Sequence, residues 1–229
     1  MNDVVTAVIM IVLTIGMYLA AKQLYKRFPS PFTLPVLIGT ILIIVVLETG
    51  NVTYTVYMEG GRWIEYFLGP AVVALAYPLY SQREVLKRYL IPILCSSAVG
   101  AAAGTASGWG LSILVTREQE LLASVLPKSV TAPIAMSVAE SLEGIPALAA
   151  VFVMIAGIGG VMMAPYVTKW FHITHPFAKG MSMGSGAHAI GTAKALENSE
   201  EEGAASSVAM TVSAIIVSII APLLAFLVF

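Results

Sequence analysis

Charge is what this sequence has least of. Only 11% of its 229 residues are charged, whereas an ordinary soluble domain carries about 25%. It has 12 Lys and Arg residues and 13 Asp and Glu residues, which gives a net charge of -1. A broad basic surface that could hold a nucleic acid by counterion release is therefore excluded. The hydrophobic content of 58% excludes a disordered chain, and a polytopic membrane protein remains.

Cysteine is almost absent, and Cys95 is its single representative. One thiol can neither close an intrachain disulfide nor hold a metal ion alone. Because Cys95 lies in an apolar run, we expect a small buried side chain at this position. The three histidines have no clustered partners at metal-ligand spacing either. We therefore expect neither a metal site nor a cofactor.

Length sets the architecture. A membrane-crossing helix needs roughly 20 residues and each connection here takes about 8, so the chain has room for about eight such elements. A further soluble domain does not fit. The sequence therefore predicts an all-α polytopic membrane protein with about seven or eight transmembrane elements, built as a single domain over residues 1–229.

The apolar stretches are of two kinds. Smooth runs cover residues 4–21, 32–47, 90–115, 145–168 and 204–229. Interrupted segments cover residues 63–80, 121–140 and 177–196. The predicted helix-breaking residues are Gly69, Pro70 and Pro78 in the first of these, and Pro127 and Pro133 in the second; the third is rich in glycine. Broken backbone is tolerated in lipid only where it lines a cavity, so repeated interruptions favour a transporter site.

The segment around Pro127 can either cross the membrane or enter and return on one side. If every run crosses, seven Lys and Arg residues lie inside and four outside. A re-entrant segment changes this to eight inside and three outside, which the positive-inside rule favours. The re-entrant version also places residues 32–115 and 145–229 in opposite orientations, as inverted repeats require.

Lys128 is the most informative charge in the sequence. An ionisable residue inside a membrane segment is costly and therefore indicates a functional site. Ser129 and Thr131 add hydroxyl groups beside it, and the three side chains together could hold a carboxylate by charge and hydrogen bonds. The alternative is that Lys128 reaches the membrane interface from a simple loop.

His188 is the second candidate, in a stretch whose neighbours are too small to cover it. We expect it to be exposed and to carry a proton linked to substrate movement, with a packed histidine as the alternative. Ser185, Gly186, Gly191 and Thr192 belong to the same predicted site. Ser185 and His188 do not suggest a hydrolase, since no third group or oxyanion hole is evident. Glu140 is a further candidate for coupling to a proton or an ion.

Three motifs carry a family resemblance. The stretches Pro127-Lys-Ser-Val-Thr-Ala-Pro-Ile-Ala135, Gly144-Ile-Pro-Ala-Leu-Ala-Ala-Val-Phe152 and Gly186-Ala-His-Ala-Ile-Gly-Thr-Ala193 resemble the LrgB/CidB family of bacterial membrane proteins. The likeness extends over nearly the whole chain. The histidine motif departs from the family pattern Ser-His-Gly-Ile-Gly-Thr-Ala, because Ala187 and Ala189 flank His188 here.

The resemblance implies a fold with inverted repeats and crossed broken helices, as in cation–proton antiporter and bile-acid symporter-type transporters. It implies two alternative functions. One is a holin-like or antiholin-like role, in which the protein tunes murein hydrolase activity and programmed lysis with a small partner of the LrgA/CidA type. The other is the transport of small carboxylates, as in related carriers of pyruvate and in the plastidic glycolate/glycerate translocator, whose C-terminal part is similar to this chain.

The residues favour the carrier over the lysis regulator and over an enzyme. Associating helices alone would suffice for a holin-like lesion, whereas interrupted segments with Lys128 and His188 suit the binding of a small anion. We expect a multi-pass, homodimeric transporter of a monocarboxylate such as pyruvate, glycolate, glycerate or acetate, located in the bacterial plasma (inner) membrane. It would work by alternating access coupled to a proton or an ion.

Overall fold

The computed structural model describes residues 3–74 and 76–228. The chain divides into two compact units, Met1–Ala71 and Val72–Phe229. Throughout the described residues the regular structure is helical, which confirms the all-α prediction.

The first unit consists of α1 (Asp3–Arg27), α2 (Pro35–Thr49) and α3 (Tyr54–Glu65). Helix α1 packs against both of the others. Gly60 permits the contact with α3, because a Cβ there would lie 2.7 Å from the Cβ of Met10. No apolar run was predicted over α3, since its charged residues Glu59 and Arg62 interrupt the hydrophobic pattern.

The chain continues through short helices into longer ones. The short ones are α4 (Leu68–Ala74), α5 (Ala76–Ser81) and α6 (Arg83–Arg88). The later helices are α7 (Leu90–Ser112), α8 (Gln119–Val125), α9 (Ala132–Ser141), α10 (Pro146–Trp170), α11 (Pro176–Asn198) and α12 (Glu200–Val228).

Four of the described helices, α1, α7, α10 and α12, are long and apolar enough to cross a membrane. Helix α2 is apolar but shorter. Each of the five smooth runs therefore forms a helix, and the chain is a membrane protein. Cys95 lies on α7 with its side chain exposed. The expectation that Cys95 is buried is wrong, because a small apolar thiol is as well accommodated by lipid as by a protein interior.

The first interruption lies between α3 and α4. Helix α3 ends at Glu65 and α4 begins at Leu68, so the chain leaves the helix shortly before Gly69 and Pro70. Both residues lie in the first turn of α4, where a proline is tolerated because its position needs no N–H donor. Pro78 lies in the first turn of α5.

The second interruption, residues 119–141, is called here the lysine segment. Helix α8 leads into a 3₁₀ turn (Leu126–Ser129), Val130 and Thr131 are extended, and α9 follows. Pro133 lies in the first turn of α9. Beyond α9 the chain folds back, because the backbone N–H of Ile145 donates a hydrogen bond of 2.7 Å to the Ser124 hydroxyl. The lysine segment is therefore a helical hairpin.

The third interruption lies within α11, and residues 176–198 are called here the histidine segment. His188 departs from helical geometry, with φ 50 and ψ -130. Helix α11 lies close to α12, since a Cβ at Gly184 would meet the Ser206 carbonyl and lie 2.8 Å from the Cβ of Ala209. It also lies close to α10, where a Cβ at Gly160 would lie 2.8 Å from the Cβ of Ala187.

The core of the second unit forms around the lysine segment. Leu126 and Val130 are fully buried, and they share one apolar cluster with Ala101 of α7, Val153 of α10 and Val217 of α12. The 3₁₀ turn accordingly contacts α7, α10 and α12. Three long helices thus hold the non-helical backbone around Lys128 in place.

Candidate functional site

A cavity of about 680 Å³ lies where α7, the 3₁₀ turn, α10 and α11 meet. It brings together four of the predicted site residues, Lys128, Ser129, Ser185 and Gly186. The lysine segment supplies the first two and the histidine segment supplies the others. The remaining wall comprises Pro92, Ser96, Val99, Gly100, Gly104, Ala156, Phe177, Ala178, Met181 and Ser182.

Three glycines of α7 provide the surface on which the polar side chains lie. A Cβ at Gly108 would lie 2.6 Å from Cε of Lys128, and one at Gly104 would lie 3.0 Å from Cβ of Ser129. A Cβ at Gly100 would lie 3.3 Å from Cβ of Ser185. Residues four apart share one helix face, so the three glycines align.

The side chains of Ser185, Ser129 and Lys128 therefore form a line along α7, called here the polar row. Successive members are separated by roughly 6 Å along the helix axis, since each residue rises about 1.5 Å. The sequence pattern predicts helix packing for the small residues of α7. Their further role, as the surface against which the polar row lies, could not be predicted from the sequence of α7 alone. That role depends on which side chains the other segments bring to α7.

Lys128 supplies the charge of the polar row. It is half-buried, and no ion pair joins it to an Asp or Glu among the residues that the structure describes. The ion pairs that do form there are exposed and lie elsewhere, such as the one between Lys194 and Glu197. A cation inside a membrane segment and without a carboxylate partner is poised to bind an anion.

Ser129 and Ser185 supply hydroxyl groups to the polar row. The Ser185 oxygen is buried and has no hydrogen-bond partner within the described part of the chain. Ser129 is also buried, with 7% of its surface exposed, and it faces the same cavity. Buried hydroxyls usually find partners, so each serine can donate a hydrogen bond to a ligand in the cavity, with Ser129 the nearer of the two to Lys128.

Thr131 and His188 lie outside the cavity wall but close to it along the chain. Both are buried, and Oγ1 of Thr131 has no hydrogen-bond partner among the residues that the structure describes. The imidazole lies beside the backbone of Ser129 and within electrostatic range of Lys128. The two segments therefore meet at His188 as well as in the cavity.

The expectation that His188 is exposed is wrong, since only 2% of its surface is accessible. The small neighbours have the opposite effect to the one expected. Ala187 lets α10 approach at Gly157 and Gly160, and Gly191 lies against the carbonyl of Met183. Small residues around His188 thus let backbones approach each other closely, and the imidazole is buried where they meet.

The backbone at His188 is strained. A φ of 50 combined with a ψ of -130 is a conformation that glycine adopts freely and that costs other residues about 1–3 kcal/mol. Yet the chain has a histidine at this position. Strain of this kind persists only where surrounding packing enforces it, and it is concentrated at functional sites.

The other predicted site residues do not reach the cavity. Thr192 shares a hydrogen bond of 2.8 Å with the Ser206 hydroxyl of α12, and Gly191 packs within the histidine segment. Glu140 is exposed near the end of α9. Within residues 3–74 and 76–228, no three His, Cys, Asp or Glu side chains come together as a metal site needs.

The apolar part of the wall was not predicted. Val99, Phe177 and Met181 line the cavity, and the Phe177 ring packs on Tyr89 with centroids 4.4 Å apart. Apolar residues are frequent throughout this sequence, so a cavity wall has the same composition as a packed or lipid-facing surface. Only the three-dimensional fold distinguishes them.

The fold and the site define a helical membrane protein in which two interrupted segments carry polar side chains. Residues 14–227 match the model of the LrgB-like family. The chain therefore belongs to the LrgB family, which confirms the resemblance carried by the three motifs.

Relatives of the chain are similar over nearly their whole length. YxaC of Bacillus subtilis is 46% identical over 227 residues, which are 99% of each chain. YwbG of the same organism is 38% identical over 95% of this chain and 96% of its own length. The holin-like protein CidB of Staphylococcus aureus is 36% identical over 98% of each chain. No solved structure matches the chain.

Proposed function

We propose that this LrgB-family protein transports a small monocarboxylate, of the pyruvate, glycolate, glycerate or acetate type, across the bacterial plasma membrane. The observation that carries the proposal is the polar row. It places one cation and two serine hydroxyls along one wall of a cavity, and the described residues offer Lys128 no carboxylate partner of their own.

The chemistry of the row suits a single carboxylate. A lysine ammonium and hydroxyl donors form charge-assisted hydrogen bonds, which are shorter and stronger than neutral ones. One anion neutralises the one charge of Lys128, whereas a dianion would bring an unpaired negative charge into a low-dielectric site. The row therefore favours a monocarboxylate over a dicarboxylate.

The hairpin of the lysine segment supports transport by alternating access. Its arms, α8 with 7 residues and α9 with 10, are too short to cross a bilayer, which takes about 20 residues. Because Ile145 returns to Ser124, we propose that the segment enters and leaves on one side. The protein is then multi-pass, with two interrupted segments meeting at a central cavity as inverted-repeat transporters have them.

In this proposal His188 carries the proton whose movement is coupled to substrate transport. Its imidazole is buried beside the backbone of Ser129, close to the polar row. An imidazole can change its charge near physiological pH. We include Glu140, at the exposed end of α9, as a second coupling residue, and a homodimer as the functional assembly.

Uptake by purified protein reconstituted in lipid vesicles tests the proposal. We expect vesicles containing the protein to accumulate labelled pyruvate, and we expect Lys128→Ala to reduce accumulation to that of empty vesicles. Lys169→Ala is the matched control, because it removes an equal charge from an exposed position at the end of α10. Equal uptake by wild type and empty vesicles for pyruvate, glycolate, glycerate and acetate would refute the proposal.

The name of CidB, a holin-like protein, favours a second candidate function. In it the protein regulates murein hydrolase activity and lysis together with a small LrgA/CidA-type partner, and transports nothing. Lysis of cells producing Lys128→Ala separates the two. If lysis control depends on transport, the variant loses both, whereas a regulator without transport keeps lysis control when Lys128 is removed.

A further inference from the structure

The groups that can donate a hydrogen bond are confined to one part of the cavity wall. Ser96 and Ser182 also line the cavity, but each donates its proton within its own helix. Ser96 donates to the carbonyl of Pro92 at 2.6 Å, and Ser182 donates to that of Lys179 at 2.8 Å. The donors left for a ligand are those of the polar row.

The rest of the wall is apolar. Pro92 and Val99 contribute from the first half of α7, Ala156 from α10, and Phe177 and Met181 from the start of α11. The contact with Tyr89 fixes the Phe177 ring. From Pro92 to Gly104 the wall follows α7 for roughly 18 Å, at about 1.5 Å per residue. The cavity is therefore amphipathic along its length.

The size of the cavity exceeds the needs of a three-carbon acid. Sites of about 300–1,000 Å³ enclose molecules of drug size, and this one measures about 680 Å³. An anion such as pyruvate would occupy the polar row and leave the apolar wall in contact with water. A ligand with an apolar body would displace that water, and each buried methylene strengthens binding about fourfold.

We propose that the preferred substrate is a monocarboxylate with an unsubstituted apolar body, either branched aliphatic or aromatic. Its carboxylate lies against Lys128 and Ser129, Ser185 contacts the adjoining part of the ligand, and its body extends along α7 towards Phe177. This inference rests on the proposed transport of monocarboxylates and narrows its substrate class. Polyhydroxylated acids bind less well, because the apolar wall offers no donor to their hydroxyl oxygens.

Competition for uptake tests the preference. Vesicles containing the protein take up labelled pyruvate in the presence of unlabelled 4-methyl-2-oxopentanoate, pyruvate or glycerate. We expect 4-methyl-2-oxopentanoate to inhibit at a concentration at least tenfold lower than unlabelled pyruvate does, and glycerate to be the weakest. Labelled 4-methyl-2-oxopentanoate should itself accumulate, and Lys128→Ala should abolish that accumulation.

The outcomes separate this inference from the function on which it rests. If neither labelled acid accumulates above empty vesicles, transport itself is refuted. If pyruvate accumulates with dependence on Lys128, but the branched acid competes no better than pyruvate, transport stands and the apolar-body inference is wrong.

Variants of the apolar wall provide a second test. Phe177→Leu shortens the wall away from the polar row, so we expect affinity for 4-methyl-2-oxopentanoate to fall about tenfold more than affinity for pyruvate does. Phe171→Leu is the matched control, because Phe171 is exposed outside the cavity. An equal loss for both acids in Phe177→Leu would indicate a structural effect and contradict the inference.

Ala178→Leu supplies an independent variant should Phe177→Leu fold poorly. Ala178 lines the cavity and is exposed, so the fold can accept a larger side chain there. The added leucine occupies space that the apolar body needs. We expect it to weaken competition by 4-methyl-2-oxopentanoate far more than competition by pyruvate, and an unchanged ratio between the two acids would contradict the inference.

Discussion

The lysine segment and the histidine segment both interrupt a helix next to the cavity, but their backbones make the interruption in different ways. Each interrupts a helix inside the second unit and delivers polar side chains to one cavity. In the lysine segment, Val130 and Thr131 make the break with extended backbone that any residue adopts. In the histidine segment the break falls on one strained residue, His188.

The comparison shows two kinds of interruption in a membrane helix. In a relaxed interruption the residues adopt favourable backbone conformations, and in an enforced one the surrounding packing holds a residue in a strained conformation. The relaxed one is encoded locally, by prolines and extended residues. The enforced one depends on neighbouring helices, because α12 packs against Gly184, and Gly157 and Gly160 of α10 pack against Ala187. Substitutions that disturb the backbone should therefore cost more stability in the histidine segment than in the lysine segment.

The largest effect on function is expected from Gly108→Ala. The new Cβ would lie 2.6 Å from Cε of Lys128, and because the lysine side chain is flexible it moves aside while the fold is kept. We expect uptake to fall about tenfold or more, since a hydrogen bond to a charged group contributes about 1.5–3 kcal/mol. Gly110→Ala is the control, since nothing lies within 4 Å of its Cβ. Equal uptake by the two variants would contradict the seating of Lys128 on α7.

Gly184→Ala should give the largest loss of stability. Its Cβ would meet the Ser206 carbonyl and Cβ of Ala209, and overpacking of this kind costs about 1–3 kcal/mol. The measurement is thermal unfolding in detergent, followed by tryptophan fluorescence. Gly186→Ala, two residues along with nothing within 4 Å, should unfold at the wild-type temperature or above it. A lower unfolding temperature for Gly186→Ala than for Gly184→Ala would reverse our account of this contact.

Two substitutions at His188 together measure how much the strained backbone conformation lowers the stability of the protein. His188→Gly and His188→Ala both remove the imidazole, but only alanine retains a Cβ in the strained conformation. We expect the glycine variant to be more stable by about 1 kcal/mol, measured as free energy of unfolding. If the alanine variant is the more stable, His188 is not strained, and the two interruptions are alike.

The smallest effect is expected from Pro133→Ala in the lysine segment. Pro133 lies in the first turn of α9, where alanine fits equally well, so the loss arises in the unfolded chain and amounts to about 0.5 kcal/mol. Because Val130 and Thr131 keep the break, uptake should be unchanged. Loss of uptake in this variant would show that the proline itself, and not the extended backbone, defines the interruption.

Local patterns predicted much of the fold. The five apolar runs became helices, and Lys128 stood out because a charge between two prolines is rare in an apolar segment. Helix α3 escaped prediction because its charged residues lower its hydropathy below that of a membrane-crossing run, although its apolar residues recur at helical spacing.

The parts that sequence could not supply depend on distant residues. The burial of His188 follows from the approach of α10 to α11, and the polar row requires Gly100, Gly104 and Gly108 to meet side chains from two other segments. A cavity wall and a lipid-facing surface also share one composition. Such features arise from tertiary contacts and leave no local periodicity.

The hairpin of the lysine segment also has a consequence for biosynthesis. Its arms are too short to integrate as spans, and the extended backbone at Val130 and Thr131 would face lipid with unpaired polar groups. Two of its apolar partners, Val153 and Val217, belong to helices that are synthesised after it. We therefore expect the segment to complete its packing only after α12 has emerged from the ribosome, which makes the polar row one of the last features of the protein to form.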